Sequence, residues 1–293
     1  MNRLDVATQA KVIGCLVEGC SIRATVRMTG AAKNTIVKLL ATIGCACAGY
    51  HNRTVRGLKV RRLQADEIWS FVGAKAKNTR LEKKQEGWGD VWTWVAIDAD
   101  TKLVVSYLVG GRDGGWAADF MEDCAKRISN RVQITTDGHK AYLEAVENAF
   151  GCDIDYAQLQ KLYGAPSDEE TRRYSPAKCI GCDMKVVSGD PDPKHVSTSF
   201  VERQNLTMRM HMRRFTRLTN GFSKKVDNHR HSVALHYMFY NFCRVHQTLR
   251  CTPAMEAEIT DHVWTLEELC SLLPKPVVKA SVIEKNLTLK ALG

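Results

Sequence analysis

Residues 63–72, LQADEIWSFV, form a run dense in aromatic and β-branched side chains with an acid, Asp66, near its middle. Such a run reads as a strand. A carboxylate inside a buried strand is costly unless a cation or a hydrogen-bond donor meets it, so Asp66 stands out at once as a functional candidate. Working outward, residues 91–97 (VWTWVAI) and 103–109 (LVVSYLV) read as two more strands, joined into a hairpin by the turn at Asp98–Asp100. Gly110 and Gly111 end the hairpin. An amphipathic helix over 114–129 follows, with Trp116, Phe120, Met121 and Cys124 along one side. A fourth strand, 132–136, hands over at Asp137-Gly138 to a helix over 139–150, and a short fifth strand lies near 153–156. Three antiparallel strands followed by helix, strand, helix and strand predict an α/β fold with one mixed five-stranded sheet flanked by helices. Residues 159–195, rich in Pro, Gly, Asp and Lys, are expected to be largely irregular.

An acid within the first strand and another at the carboxyl end of the fourth converge when those strands are neighbours. Ligand sites in such sheets favour strand carboxyl ends. A third acid, Glu202, lies in the helical segment FVERQNLTMRMHMRRF (200–215). Ser199 is the expected N-cap, and Glu202 stands three residues on, at capping-box spacing. One reading of Glu202 is therefore a cap and nothing more. The other reading uses its helix face, because Glu202, Asn205 and Arg209 align at i, i+3 and i+7. A carboxylate, an amide and a guanidinium in line suit a metal site leading onto a phosphate track. Three carboxylates provide the oxygen ligands that suit a pair of Mg²⁺ ions, for which Mn²⁺ can substitute, in two-metal phosphoryl transfer. Pattern alone does not select these three from 32 acids.

Three blocks narrow the choice: DEIWSFVGAK (66–75), TTDGHKAY (135–142) and STSFVERQNLTMRMHMRRFTRLTNGFSKK (197–225). Together with SIRATVRMTGAAKNTIVKLL (21–40), and in this order, they resemble the signature blocks of the insertion-sequence-one family of bacterial transposases. The resemblance spans most of residues 20–250. It implies an RNase H-like catalytic domain and a triad of two aspartates and a glutamate, falling on Asp66, Asp137 and Glu202 as catalytic and metal-binding residues. It also implies cleavage at the terminal inverted repeats of the element and joining of the 3′ hydroxyls to target DNA. The best-known members carry a Cys-rich zinc ribbon ahead of the helix-turn-helix, which has no counterpart in this sequence, and the 159–195 segment is longer than in the shortest members.

Charge is unevenly spread. Residues 1–62 hold 11 of the 42 Lys/Arg and two of the 32 acids, so +9 of the net charge of +10 lies there. A small basic module suggests a polyanion partner, bound in a salt-sensitive way. Helical spacing of Val6, Ala10, Ile13 and Val17, a stop at Gly19, an N-cap at Ser21, a turn at Thr29-Gly30 and a third helix burying Ile36, Leu39, Leu40 and Ile43 follow helix-turn-helix logic. In that geometry Asn34 and Thr35 reach base edges, and Lys33 and Lys38 reach phosphates. Three-helix packing without DNA is the alternative. Residues 51–62 (HNRTVRGLKVRR) read as a basic linker whose Arg61 and Arg62 continue a phosphate track. Further Lys/Arg run along the later helix and beyond it at Arg203, Arg209, Arg213, Arg214, Arg217, Lys224 and Lys225, a pattern that favours DNA backbone contact over a solvated face.

The expected organisation is a helix-turn-helix domain at 1–50, the linker at 51–62, the catalytic domain at 63–250 with its insertion at 159–195, and a helical tail at 251–293. The tail contains a capping box, Thr265-Leu-Glu-Glu268. Eleven cysteines with no secretion signal and no apolar run long enough for a membrane predict reduced thiols in a cytoplasmic protein. Cys179 and Cys182 form a lone CxxC that with Cys152 or His195 can bind zinc, or stand as unligated thiols, or carry redox chemistry. Expected partners are double-stranded DNA, as element ends and target, and further copies of the chain, since pairing two ends calls for a dimer or larger assembly. A DNA-binding regulator with an inactive core, or a structure-selective nuclease that cuts without joining, are the alternatives.

Overall fold

The computed structural model describes residues 4–164, 179–216 and 219–274. Three helices come first: α1 (Val6–Val17), α2 (Ile22–Thr29) and α3 (Lys33–Thr54). Asp5 and Ser21 cap the first two by accepting from the Thr8 and Ala24 N–H groups. Gly30, at φ +72°, ends α2 in the left-handed conformation that glycine adopts without a Cβ penalty. The axes of α2 and α3 meet at 111°, within the range of helix-turn-helix pairs. Helix α3 runs on through Thr54, so the first residues expected in the linker are helical. His51 is the reason: its ring is buried, with Nε2 3.2 Å from the Val104 carbonyl oxygen, and burial lowers its pKa to about 4.

The sheet follows, from β1 (Arg62–Val72), β2 (Gly89–Asp98), β3 (Val104–Gly110), β4 (Val132–Thr136), β5 (Ile154–Tyr163) and β6 (Cys179–Ser188). Between them lie α4 (Leu81–Gln85), α5 (Gly114–Ala125) and α6 (Ala141–Phe150). The strand order is β3-β2-β1-β4-β5-β6. β1 is antiparallel to β2 and parallel to β4, β4 is parallel to β5, and β5 is antiparallel to β6. The first five strands thus have the mixed order of an RNase H-like sheet. The sixth corrects the expectation of an irregular 159–195 at its two described ends, residues 159–163 and 179–188; residues 165–178 lie outside the described residues. β5 continues to Tyr163 and β6 pairs back along it, because the ladder satisfies backbone groups on the otherwise open edge of β5. Gly181 and Asp183 hide the strand's alternation in the sequence.

The chain then forms α7 (Ser199–His211) and α8 (Val226–Met238), a π turn at Phe239–Cys243, α9 (Pro253–Glu256) and α10 (Leu266–Ser271). Helix α8 ends earlier than the apolar and aromatic run to residue 249 suggests. The expected capping box at Thr265 and Glu268 is present. Among the described residues no single helix is long and apolar enough to cross a membrane.

One hydrophobic core joins the N-terminal helices to one sheet face: Ala10, Ile13, Leu40 and Ile43 share it with Leu63, Ala65, Trp94, Phe120 and Tyr142. A second core lies on the other face, where Ile68 and Val95 meet Val201, Met208 and Tyr237 of α7 and α8. Helix α3 packs on α8 across Gly44, where a Cβ would stand 2.5 Å from both the Cβ and the backbone oxygen of His231. Gly49 in the same helix meets only the end of the Arg53 side chain. We expect Gly44→Ala to destabilise the chain by about 1–3 kcal/mol through overpacking. Gly49→Ala should be neutral or stabilise by up to about 1 kcal/mol through helix propensity. Denaturant unfolding of the two variants measures the difference; equal effects would show that α3 and α8 are not in this close contact.

Candidate active site

Register brings the two aspartates together. Ala65 stands beside Thr136 in the β1–β4 ladder, so Asp66, within β1, and Asp137, the first residue past the end of β4, come next to each other. Asp137 is fixed by the His139 N–H, which donates to its Oδ1 at 3.0 Å. Asp66 accepts from the Glu67 N–H at 2.8 Å and from Asn205 Nδ2 at 2.9 Å.

Helix α7 is pinned to β1 at two levels on the same strand face. Gln64 Oε1 accepts from the Phe200 and Val201 N–H groups at 2.8 and 3.2 Å, satisfying donors that a helix start leaves open. One turn further, Asn205 reaches Asp66. Ser199 is therefore the first helical residue and not the N-cap. That position belongs to Thr198, whose side chain makes no cap bond to the backbone and instead donates its hydroxyl to Glu202 Oε1 at 2.7 Å. Lys161 of β5 donates to the same carboxylate, at 2.6 Å on Oε1 and at shorter range on Oε2.

Asp66, Asp137, Glu202, Asn205 and Arg209 all line one cavity of about 710 Å³. Within it the tight cluster has a different third member from the one expected. Ligand oxygens of Asp66, Glu67 and Asp137 lie within 4.8 Å of one another, while Glu202 is held across the cavity by Lys161 and Thr198. Glu67 went unselected in the sequence because strand alternation sends it to the opposite face from Asp66. Its side chain is only 1% exposed and is met by Arg112, whose Nε donates to Oε1 at 2.7 Å, and by the Tyr142 hydroxyl at 3.1 Å on Oε2. The adjacent acids in the DEIW stretch were the available signal.

Crowding sets the electrostatics. Burial first, then Glu67 and Asp137, push Asp66 up from 3.8 to about 7, against the two donors that favour its charged form. Burial and Asp137 likewise raise Glu67, with Arg112 opposing. Asn205 Oδ1 is buried and has no hydrogen-bond partner. Oxygen donors, like charges held together and an orphaned amide oxygen fit a hard divalent cation.

No known family profile matches the chain, and no curated protein matches it. Among solved structures, a piggyBac transposase synaptic complex with hairpin DNA is 10% identical over 97% of this chain and 75% of its own, with a TM-score of 0.38. A Mos1 transposase paired-end complex with the left transposon end is 12% identical over 50% and 58%, with a TM-score of 0.21. The Mos1 strand transfer complex is 11% identical over 94% and 81%, with a TM-score of 0.24. At these values the functional reading rests on the chain's own residues.

The remaining expected residues are dispersed. Lys33, Asn34 and Lys38 are exposed on the first turns of α3, with Thr35 half-buried beside them. Arg61 is exposed, whereas Arg62 is tied to Asp100 and lies 2.6 Å from His195 Nδ1. Arg213 is exposed, but Arg214 turns inward and donates to Ser223 Oγ at 2.8 Å, so its guanidinium has a protein partner. Arg217 lies outside the described residues. Cys179 and Cys182 are exposed on β6, and among the described residues no third ligand gathers with them. Among the described residues the geometry therefore builds no zinc site around the CxxC.

The raised Asp66 carboxyl predicts a pH dependence. In the metal-free chain Asp66 keeps until about pH 7 a proton that the unfolded chain releases near 3.8, so its contribution to stability falls as pH rises through that window. A bound cation must displace this proton. We expect Mg²⁺ to raise the melting temperature more at pH 8 than at pH 6, with apparent affinity falling roughly tenfold per pH unit below 7. Titration calorimetry at several pH values checks this, and a pH-independent affinity would contradict it.

Proposed function

We propose that the chain is a DNA transposase of the insertion-sequence-one kind, with Asp66, Asp137 and Glu202 as its catalytic and metal-holding carboxylates. The observation that carries this reading is the single cavity in which Asp66 and Asp137 converge from neighbouring strands while α7 supplies Glu202, Asn205 and Arg209. Glu67 joins the acidic cluster and keeps its negative field in place. Divalent cations held by these carboxylates supply the charge that activates an attacking oxygen and stabilises a leaving one in phosphoryl transfer.

The chain's own residues do the positioning. Asn205 fixes the Asp66 carboxylate through Nδ2, and the His139 N–H fixes Asp137. Lys161 keeps Glu202 at the cavity wall and places an ammonium where a phosphate can meet it. Arg209 extends the same wall along α7. The basic exposed start of α3 suits the major groove of double-stranded DNA, with Asn34 and Thr35 toward bases and Lys33 and Lys38 toward phosphates. Two ends have to be held for joining, so the working form is a dimer or a larger assembly on DNA.

The test uses the DNA on either side of the gene, taken to include any inverted repeats found there, with Mg²⁺ or Mn²⁺. Cleavage followed by joining of the 3′ ends to target DNA is the expected outcome. Asp137→Asn should retain its melting transition and its DNA binding and lose more than about a hundredfold in cleavage rate, since a charged oxygen ligand is gone. Normal cutting and joining by that variant would overturn the assignment. Cutting without joining would reduce the reading to a nuclease.

A further inference from the structure

Four aromatic side chains next to the acidic cluster belong to neither hydrophobic core: Trp69 and Phe71 on β1, Trp92 on β2, and Phe222. All four are half-buried. Alternation puts Glu67, Trp69 and Phe71 on one face of β1, and Trp92 stands opposite Trp69 in the β1–β2 ladder. One register step nearer the core, Trp94 stands opposite Glu67 and is fully buried against Phe120 and Tyr142. The aromatic strip therefore begins where the helical cover of this face ends. It continues outward through ring pairs, Trp69–Phe71 with centroids 5.8 Å apart and Phe71–Phe222 5.0 Å apart.

Cations sit on the rings. The Arg112 guanidinium, anchored on Glu67, lies 4.4 Å from the Trp92 ring centroid, and its side chain is 43% exposed in the cavity wall. Lys75 Nζ is 5.6 Å from the Trp69 ring. The connection after β1 adds exposed Lys77, Arg80 and Lys84. Asp90, opposite Phe71, is turned onto the Ala76 N–H. An apolar protein contact favours a centre depleted of charge. Rings with cations over them instead suit a polyanion that also carries flat π faces, and bases within a duplex keep those faces stacked on one another.

We infer that this strip is a binding site for unpaired nucleobases: a single-stranded DNA segment leaving the acidic cavity stacks on Trp69, Phe71 and the outer plane of Arg112, with Lys75 against its phosphates. The inference rests on the proposed DNA chemistry of the neighbouring cavity, but its test does not require cutting. Full-length protein is titrated into a labelled oligothymidine of about 12 nucleotides and, separately, into a blunt duplex. Trp69→Ala and Trp92→Ala should each weaken oligothymidine binding roughly tenfold and leave duplex binding nearly unchanged, whereas Trp69→Phe keeps most of the affinity. Photocrosslinking of bromodeoxyuridine-containing oligothymidine to the unsubstituted protein, mapped by mass spectrometry, should land on the strip, and this arm needs no variant to fold.

Unchanged oligothymidine affinity in both alanine variants, or crosslinks confined to other surfaces, would overturn the site. So would loss of self-association in Trp69→Ala with oligothymidine affinity intact, which would make the strip a protein contact. The same titrations in the Asp137→Asn chain separate the two claims. Strip-dependent binding in a protein that proves unable to cut any end leaves the platform standing without the transposase reading. Cutting and joining with no effect at Trp69 or Trp92 does the reverse.

Discussion

The crowding of carboxylates where β4 ends beside β1, in the middle of the sheet, is the constraint around which the structure is arranged. β1 places two acids in succession, and the pleat sends one to each face. Asp137 arrives between them from β4. Each charge is then given its own donors. Arg112 and the Tyr142 hydroxyl meet Glu67 from the side of α5 and α6, and Asn205 meets Asp66 from α7. These donors do not outweigh burial and the neighbouring charges, which together raise Asp66 to about 7. Holding three acids together in this way costs stability locally.

Positions along β1 divide the labour. Leu63 and Ala65 enter the core shared with the N-terminal helices, and Ile68 and Val72 enter the core under α7 and α8. Gln64 and Asp66 face α7 and fasten it, so the helix that carries Glu202 is indexed to the same strand as the first aspartate. A one-residue slip of β1 against β4 would exchange the two faces and separate every pair just described.

The strands, the α/β class, the Ser21 and Thr265 caps and the convergence of Asp66 with Asp137 were legible in the sequence because each rests on local spacing or on neighbouring strands. What escaped depends on contacts distant in sequence. β6 is specified by the open edge of β5 more than by its own alternation. Arg214 belongs to a basic run by composition, yet Ser223 takes its guanidinium inward. Glu67 was hidden by a correct rule, since alternation does place it on the other face. Only the arrival of Asp137 at the strand end makes the two faces one site. Glu202 lines the same cavity as Asp66 and Asp137, but its partner Lys161 comes from a stretch that the sequence marked as irregular.

The helices at the start of the chain are built into the same core as the sheet, through Ile13, Leu40, Ile43 and the close approach at Gly44. Modules that hang on flexible linkers can be exchanged wholesale between lineages, and new specificity is then acquired by recombination of genes. Here such an exchange would tear open the interior beneath β1 and β2. What α3 touches is therefore altered by substituting its exposed residues, with the sheet and the N-terminal helices kept as one packed unit.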